Sequence, residues 1–240
     1  KNKKTWPKSL RCDYIFVINK YFGSKYRKLV KSNFLTQGSN LKKFENILSK
    51  KFSSKYSVGF NSATSALHIS CMALGIKKGD KVWTCTNSFV ASSNCALYCG
   101  AKVELIDIDQ ENFNISLAEL ENKLIYAQKK NSLPKLVIPV HFAGLPCDMK
   151  KIYNLSQKYG FKILEDASHA VGAKYFDEKI GSCKYSDITV FSFHPVKIIT
   201  TAEGGAALTN NPKLNEKLIL YRNHGITRNK KFLKNKKFPK

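Results

Sequence analysis

The chain has 240 residues, 43% hydrophobic and 24% charged, the composition of a soluble globular protein able to bury a substantial core. Its formal net charge of +24 would suit a nucleic acid or an anionic membrane surface. The distribution argues against both: residues 1–31 carry ten Lys and Arg against one acid and residues 227–240 carry seven against none, leaving 24 bases and 16 acids between them.

In chain order, Lys1 to Lys31 fits no regular element. Its apolar run Ile15-Phe16-Val17-Ile18 is too short to span a membrane, and no segment has the pattern of a signal peptide, so a cytoplasmic location is expected. A helix is predicted over Lys42 to Lys50 and a strand over Tyr56 to Phe60. The strand runs into Asn61-Ser62-Ala63-Thr64-Ser65, which opens a helix through Leu74. Hydroxyls and free N–H groups at a helix start make an anion site, so a phosphate on Ser62, Ala63 and Thr64 is one reading and ordinary capping by Asn61 or Ser62 the other. The strand Lys81 to Thr84 leads through a polar turn to a helix beginning near Phe89. That ring would either stack on a planar ligand or pack in the core.

Further along, Lys102 to Ile106 reads as a strand, Leu117 to Leu124 as a helix, and Tyr126 to Lys135 as a polar surface connection. The strand Leu136 to Val140, the helix Met149 to Tyr159 and the strand Phe161 to Leu164 follow. That last strand ends in Glu165-Asp166-Ala167-Ser168-His169. Ligand groups in α/β proteins gather at the carboxyl ends of strands. Asp166 is therefore placed either to meet the protonated ring nitrogen of pyridoxal 5'-phosphate (PLP) or to cap a helix starting at Ala167. The strand Ile188 to Phe193 then delivers Ser192-Phe193-His194-Pro195-Val196-Lys197, followed by Ala202-Glu203-Gly204-Gly205. Among Phe193, Val196 and Ile198, Lys197 is the candidate nucleophilic amine, because apolar surroundings favour its neutral form. Alternating helices and strands predict an α/β layer architecture. The seven cysteines include no C-x-x-C pair, which argues against zinc and for reduced core thiols, with Cys95 and Cys99 one helical turn apart. His141 and His194 would either line a pocket or serve the core, and His68 is assigned to structure.

The order of these pieces from about Leu35 to Gly225 resembles the DegT/DnrJ/StrS-type sugar aminotransferases. Leu35-Thr36-Gln37-Gly38, Phe44-Glu45, Asn61 to Leu67, Gly75-Ile76, Gly79-Asp80, Gly100-Ala101, Asp107-Ile108-Asp109 and Pro139-Val140-His141 with Gly144 carry the first part of the likeness. Glu165 to Ala170, the lysine segment and Arg222-Asn223-His224-Gly225 carry the rest. The resemblance implies a fold-type I, three-layer α/β/α large domain with a mostly parallel mixed sheet, and PLP as cofactor. It implies Lys197 as the Schiff-base lysine and proton shuttle, Asp166 at the pyridinium nitrogen, Phe89 on the ring and His169 near the ring hydroxyl. Ser62, Ala63, Thr64 and Ser192 would hold the phosphate. A related branch has histidine where this chain has Lys197 and dehydrates its substrate, so transamination is expected here.

The segments Asn61 to Leu67, Ser192 to Lys197 and Ile199 to Gly205 look most like the branch acting in pseudaminic acid biosynthesis. The resemblance implies glutamate as donor, C4 of a UDP-linked 4-keto-6-deoxy-N-acetylhexosamine as acceptor, and a homodimer with a shared site, with no nucleic-acid or membrane partner. A dTDP- or GDP-linked keto sugar, or a basic binding module without catalysis, are the alternatives. The expected organisation is a basic segment over 1–34, a PLP-binding domain over 35–226 and a basic tail over 227–240, with the family's C-terminal small domain absent.

Overall fold

The computed structural model describes residues 38–226, so the expected basic segments at 1–34 and 227–240 lie outside the described residues. The chain divides between Lys43 and Phe44. The described residues before that boundary are Gly38 and the opening of helix α1 (Ser39–Phe52), and the rest of the described chain belongs to the unit that begins at Phe44.

A seven-stranded sheet organises this second unit. Its strands are β1 (Tyr56–Phe60), β2 (Lys81–Cys85), β3 (Lys102–Ile106), β4 (Leu136–Ile138), β5 (Lys162–Asp166), β8 (Ile188–Ser192) and β9 (Gly205–Thr209). They lie in the order β1-β9-β8-β5-β4-β2-β3. Pairing is parallel from β8 across to β3, and β9 runs antiparallel to both β8 and β1. A separate hairpin joins β6 (Lys174–Tyr175) and β7 (Glu178–Lys179). Every residue of β4, β8 and β9 is buried, as expected of a sheet covered on both faces.

Alternation along the strands sends side chains to two cores. Val82, Leu136, Ile138, Leu164 and Val190 pack under α2 (Ala63–Ala73), α3 (Ala91–Leu97) and α6 (Pro212–Arg222), through Leu67, Cys71, Cys95, Leu214 and Leu218. On the other face Trp83, Val137 and Ile163 meet Leu120, Leu124 and Ile152 of α4 (Leu117–Lys129) and α5 (Met149–Tyr159). Phe191, Ala206 and Leu208 pack with Leu48 and Phe52 of α1. The result is the expected three-layer α/β/α arrangement with a mostly parallel mixed sheet.

The helices start where short polar side chains can take their free N–H groups. Ser62 accepts from Ser65 N, Ser116 from Glu119 N, Asp148 from Lys151 N, and Asn211 from Lys213 and Leu214 N just before Pro212.

Several boundaries differ from expectation. Helix α4 continues to Lys129, through what reads as a polar connection from Tyr126, because Leu120, Leu124 and Ala127 keep one buried stripe. Strand β5 includes Glu165 and Asp166, since both carboxylates are buried and find donors. No helix begins at Ala167, so Asp166 is not a helix cap; its Oδ1 instead accepts from Ser168 N at 3.1 Å in a turn. Strand β9, helix α6, the β6–β7 hairpin and a 3₁₀ turn over Phe142–Gly144 are not anticipated by the sequence pattern.

Candidate active site

The parallel strands β1, β2, β4, β5 and β8 end on one edge of the sheet, where the antiparallel β9 begins. The side chains delivered there enclose a cavity of about 330 Å³. Its lining includes Ser62, Ala63, Thr64, Phe89, Asp166, His169, Ser192 and Lys197, so all eight site residues expected from sequence are brought to one place from separate chain segments. Ser168, His194, Glu203 and Gly204 join them.

Lys197 sits in the loop between β8 and β9. That loop is closed at its base by Phe193 N donating to Gly204 O (2.9 Å) and Thr201 N to Phe193 O (3.0 Å), with Lys197 N turned onto His194 O (3.0 Å). Lys197 Nζ lies 2.7 Å from His169 Nε2. Burial holds the His169 pKa below its ordinary value, the Lys197 charge pushes it the same way, and Asp166 opposes them. A neutral imidazole can accept a hydrogen bond from the lysine at Nε2, so the contact orients Lys197 inside the cavity.

Asp166 is only 4% exposed. Its Oδ2 accepts from Ser92 Oγ at 2.6 Å and its Oδ1 from Ser168 N, which sustains a buried carboxylate beside the cavity. Next to it in sequence, Glu165 faces the far side of the sheet. There it accepts from Thr189 Oγ1 (2.8 Å), from Ser186 Oγ and from His141 Nε2 (2.9 Å). Cys147 N donates to His141 Nδ1 (3.1 Å), so both ring nitrogens of this buried imidazole are engaged. His141 is wholly buried and stays out of the cavity, whereas His194 lines it, with Nε2 3.8 Å from Glu203 Oε1. Phe89 is 71% exposed, so it is a rim residue and not a core one.

At the opposite wall, the first turn of α2 offers the N–H groups of Ala63 and Thr64, which have no carbonyl one turn back within the helix. Strand β9 approaches this turn so closely that a Cβ on Gly205 would lie 2.5 Å from Ala63 N and 2.6 Å from Ser62 O. Ser192 pairs with Gly205 across the sheet and brings its hydroxyl to the same corner. An anion-binding helix start, a buried carboxylate and a lysine around one cavity fit the phosphate, ring nitrogen and aldehyde of PLP. Among the described residues no cluster of His, Cys, Asp and Glu could hold a metal ion.

Sequence reasoning missed Ser92. The available signal was a hydroxyl in the buried stripe Ala91, Ser92, Cys95 and Ala96 of α3, but the partner that explains it lies 74 residues away.

Solved structures similar to this one include aminotransferases. One is the Helicobacter pylori aminotransferase PseC, described as involved in the biosynthesis of pseudoaminic acid. It superposes with a TM-score of 0.77 at 35% identity, over 85% of this chain and 53% of that one. A Bacillus subtilis structure, NtdA with bound cofactor PMP, superposes with a TM-score of 0.72 at 32% identity, over 85% and 44%. The chain belongs to the DegT/DnrJ/EryC1/StrS aminotransferase family, whose sequence profile matches residues 18–238. A Campylobacter jejuni serotype O:2 protein named UDP-4-amino-4,6-dideoxy-N-acetyl-beta-L-altrosamine transaminase is 43% identical over 201 residues, covering 84% of this chain and 52% of its own length. The chain spans about half the length of the curated relatives it matches.

Proposed function

We propose that this chain carries the cofactor-binding domain, residues 35–226, of a PLP-dependent transaminase. In this reading it moves the amino group of glutamate to C4 of a UDP-linked 4-keto-6-deoxy-N-acetylhexosamine. The observation that carries the proposal is Lys197 Nζ lying 2.7 Å from His169 in the cavity that also holds the buried Asp166 carboxylate. Family membership and the names of the Campylobacter and Helicobacter relatives support the substrate class.

When bound, PLP supplies the electron sink that stabilises a carbanion beside it. The chain's residues would do the rest. Ala63 and Thr64 N–H, with the Ser62 and Ser192 hydroxyls, would receive the phosphate. The Asp166 carboxylate would hold the proton at the ring nitrogen, and Phe89 would cover one ring face and exclude water. His169 Nε2 would accept a hydrogen bond from Lys197 Nζ and keep the lysine pointed into the cavity, and would afterwards lie near the ring hydroxyl. Lys197 Nζ would then accept the proton from the donor's α-carbon and return a proton to the sugar carbon in the second half of the exchange.

A homodimer is part of the proposal: Phe89 and Val196 at the cavity and Ile198 next to Lys197 are exposed apolar side chains that a second copy would cover. A cytoplasmic setting is supported by the six described cysteines, all free. Among the described residues no helix is long and apolar enough to cross a membrane.

The test is to titrate the purified chain with PLP, reduce with borohydride and map the modified peptide beside a Lys197→Ala control. Pyridoxyl trapped on Lys197 and lost in the variant is the expected result. No adduct, or one that persists in Lys197→Ala, would overturn the assignment. Offering the UDP 4-keto sugar and a dTDP 3-keto sugar, each with glutamate, then separates the proposed substrate from its rivals.

A further inference from the structure

The Asp166 carboxylate is held from outside the cavity by a side chain with no other evident role. Ser92 Oγ donates to Asp166 Oδ2 at 2.6 Å, in the range of hydrogen bonds to a charged oxygen. An ionised carboxylate only accepts, so the single Ser92 proton is committed to it and the Ser92 oxygen is left to accept in turn. Ser88 Oγ stands 2.7 Å away on that side. Ser92 is wholly buried, so no bulk water can take its place.

With Ser168 N on Oδ1 and Ser92 on Oδ2, both oxygens are pinned and rotation of the carboxyl group is blocked. About two of the four lone-pair positions of a carboxylate remain for a group in the cavity. Ser88 and Ser92 also bracket Phe89, so the turn that would present the ring-covering side chain is bonded to the carboxylate that would hold the ring nitrogen.

We infer that Ser92 is a positioning residue of the cofactor site: its hydroxyl fixes the Asp166 carboxylate in the orientation that receives a protonated ring nitrogen. The inference rests on the PLP reading of the cavity. It implies that Ser92 matters only to a ligand that has such a nitrogen.

The experiment compares PLP with 1-deazapyridoxal phosphate, in which carbon replaces the ring nitrogen, by absorbance titration of the chain and of Ser92→Ala. Ser92→Ala is expected to weaken PLP by about tenfold, the scale of one charge-assisted hydrogen bond, and the deaza analogue by less than about twofold. Ser92→Thr keeps the donor and should restore PLP affinity. Ser92→Cys, a near-isosteric weaker donor, should fall between and carries the test if the alanine variant does not fold. Equal weakening of both ligands would assign Ser92 to structure alone, and no weakening of PLP would overturn the inference outright. If the unmodified chain traps no PLP on Lys197, the reading of the cavity fails and the Ser92 role with it. If it traps PLP but Ser92→Ala treats both ligands alike, only the Ser92 role fails.

Discussion

Glu165 and Asp166 are adjacent in sequence, yet the alternation of β5 sends one carboxylate to each side of the sheet. Asp166 meets the cavity. Glu165 is locked among His141, Ser186 and Thr189, where burial pushes its pKa up and those three donors more than reverse the shift, leaving it below the ordinary value. A carboxyl group depressed in the folded state contributes stability that is fully present above its unfolded pKa of about 4.3 and is lost as pH falls through the lower folded value. Thermal unfolding followed between pH 6 and pH 3 should therefore steepen in the acid range, and Glu165→Gln should flatten that slope while lowering the melting temperature at pH 7. An unchanged acid slope in the variant would show that Glu165 is not the group responsible.

At the scale of elements, the contact between β9 and the start of α2 is the tightest constraint on the cavity. A side chain at Gly205 would strike backbone atoms of Ser62 and Ala63, and backbone cannot swing aside as a flexible side chain can. Gly205→Ala should cost about 2 kcal/mol through overpacking, read as a lower urea midpoint, and should weaken PLP by moving the helix start. A variant with the parent midpoint would mean that the two elements can separate freely. The outer strand β1 is held differently: Glu45 accepts from Gly59 N (3.0 Å) and Arg222 donates to Gly59 O (3.1 Å) and to Glu45, so an ion pair closes the edge. Arg222→Ala should lower the midpoint by the equivalent of about 1–3 kcal/mol, because it leaves a buried acceptor and a carboxylate underused. Equal stability would place that edge under other control.

The same elements explain how much the sequence reveals. Strands such as β2, β3 and β4 carry Val, Ile, Leu and Trp, and helices such as α5 carry a cap and a regular stripe, so their existence is legible. Strand β9 has the sequence Gly-Ala-Ala-Leu-Thr, which lacks strand-forming bulk, and at Gly205 the start of α2 leaves no room for a side chain. Strand β5 reads as stopping at Leu164 because its two terminal carboxylates find their partners far along the chain. Of the eight expected site residues, Ser62, Ala63, Thr64, Phe89, Asp166 and Lys197 follow a strand or open a helix that local pattern reveals, whereas His169 and Ser192 are expected only from the family resemblance. Ser92 has no such mark, since its meaning lies in a contact between α3 and β5.

For the whole molecule, exposed apolar side chains stand at the cavity and beside it, with Val196, which lines it, 78% exposed and Ile198, next to Lys197, 62% exposed. Sedimentation of the chain at micromolar concentration is expected to give a dimer. Val196→Glu combined with Ile198→Glu should give a monomer whose secondary structure is intact. A parent chain that sediments as a monomer would remove the homodimer from the proposal.

The cavity draws on residues from Ser62 to Gly204 and on the ends of strands throughout the sheet. No partly folded form that lacks one of those strands contains it, so a ligand of the cavity binds the native state and has nothing comparable to bind in the unfolded one. By mass action PLP, if it binds as proposed, would double as a folding ligand, adding about 2.7 kcal/mol at a free concentration one hundred times its dissociation constant. Supply of PLP would in that case set how much of the chain survives proteolysis as well as how much of it is loaded.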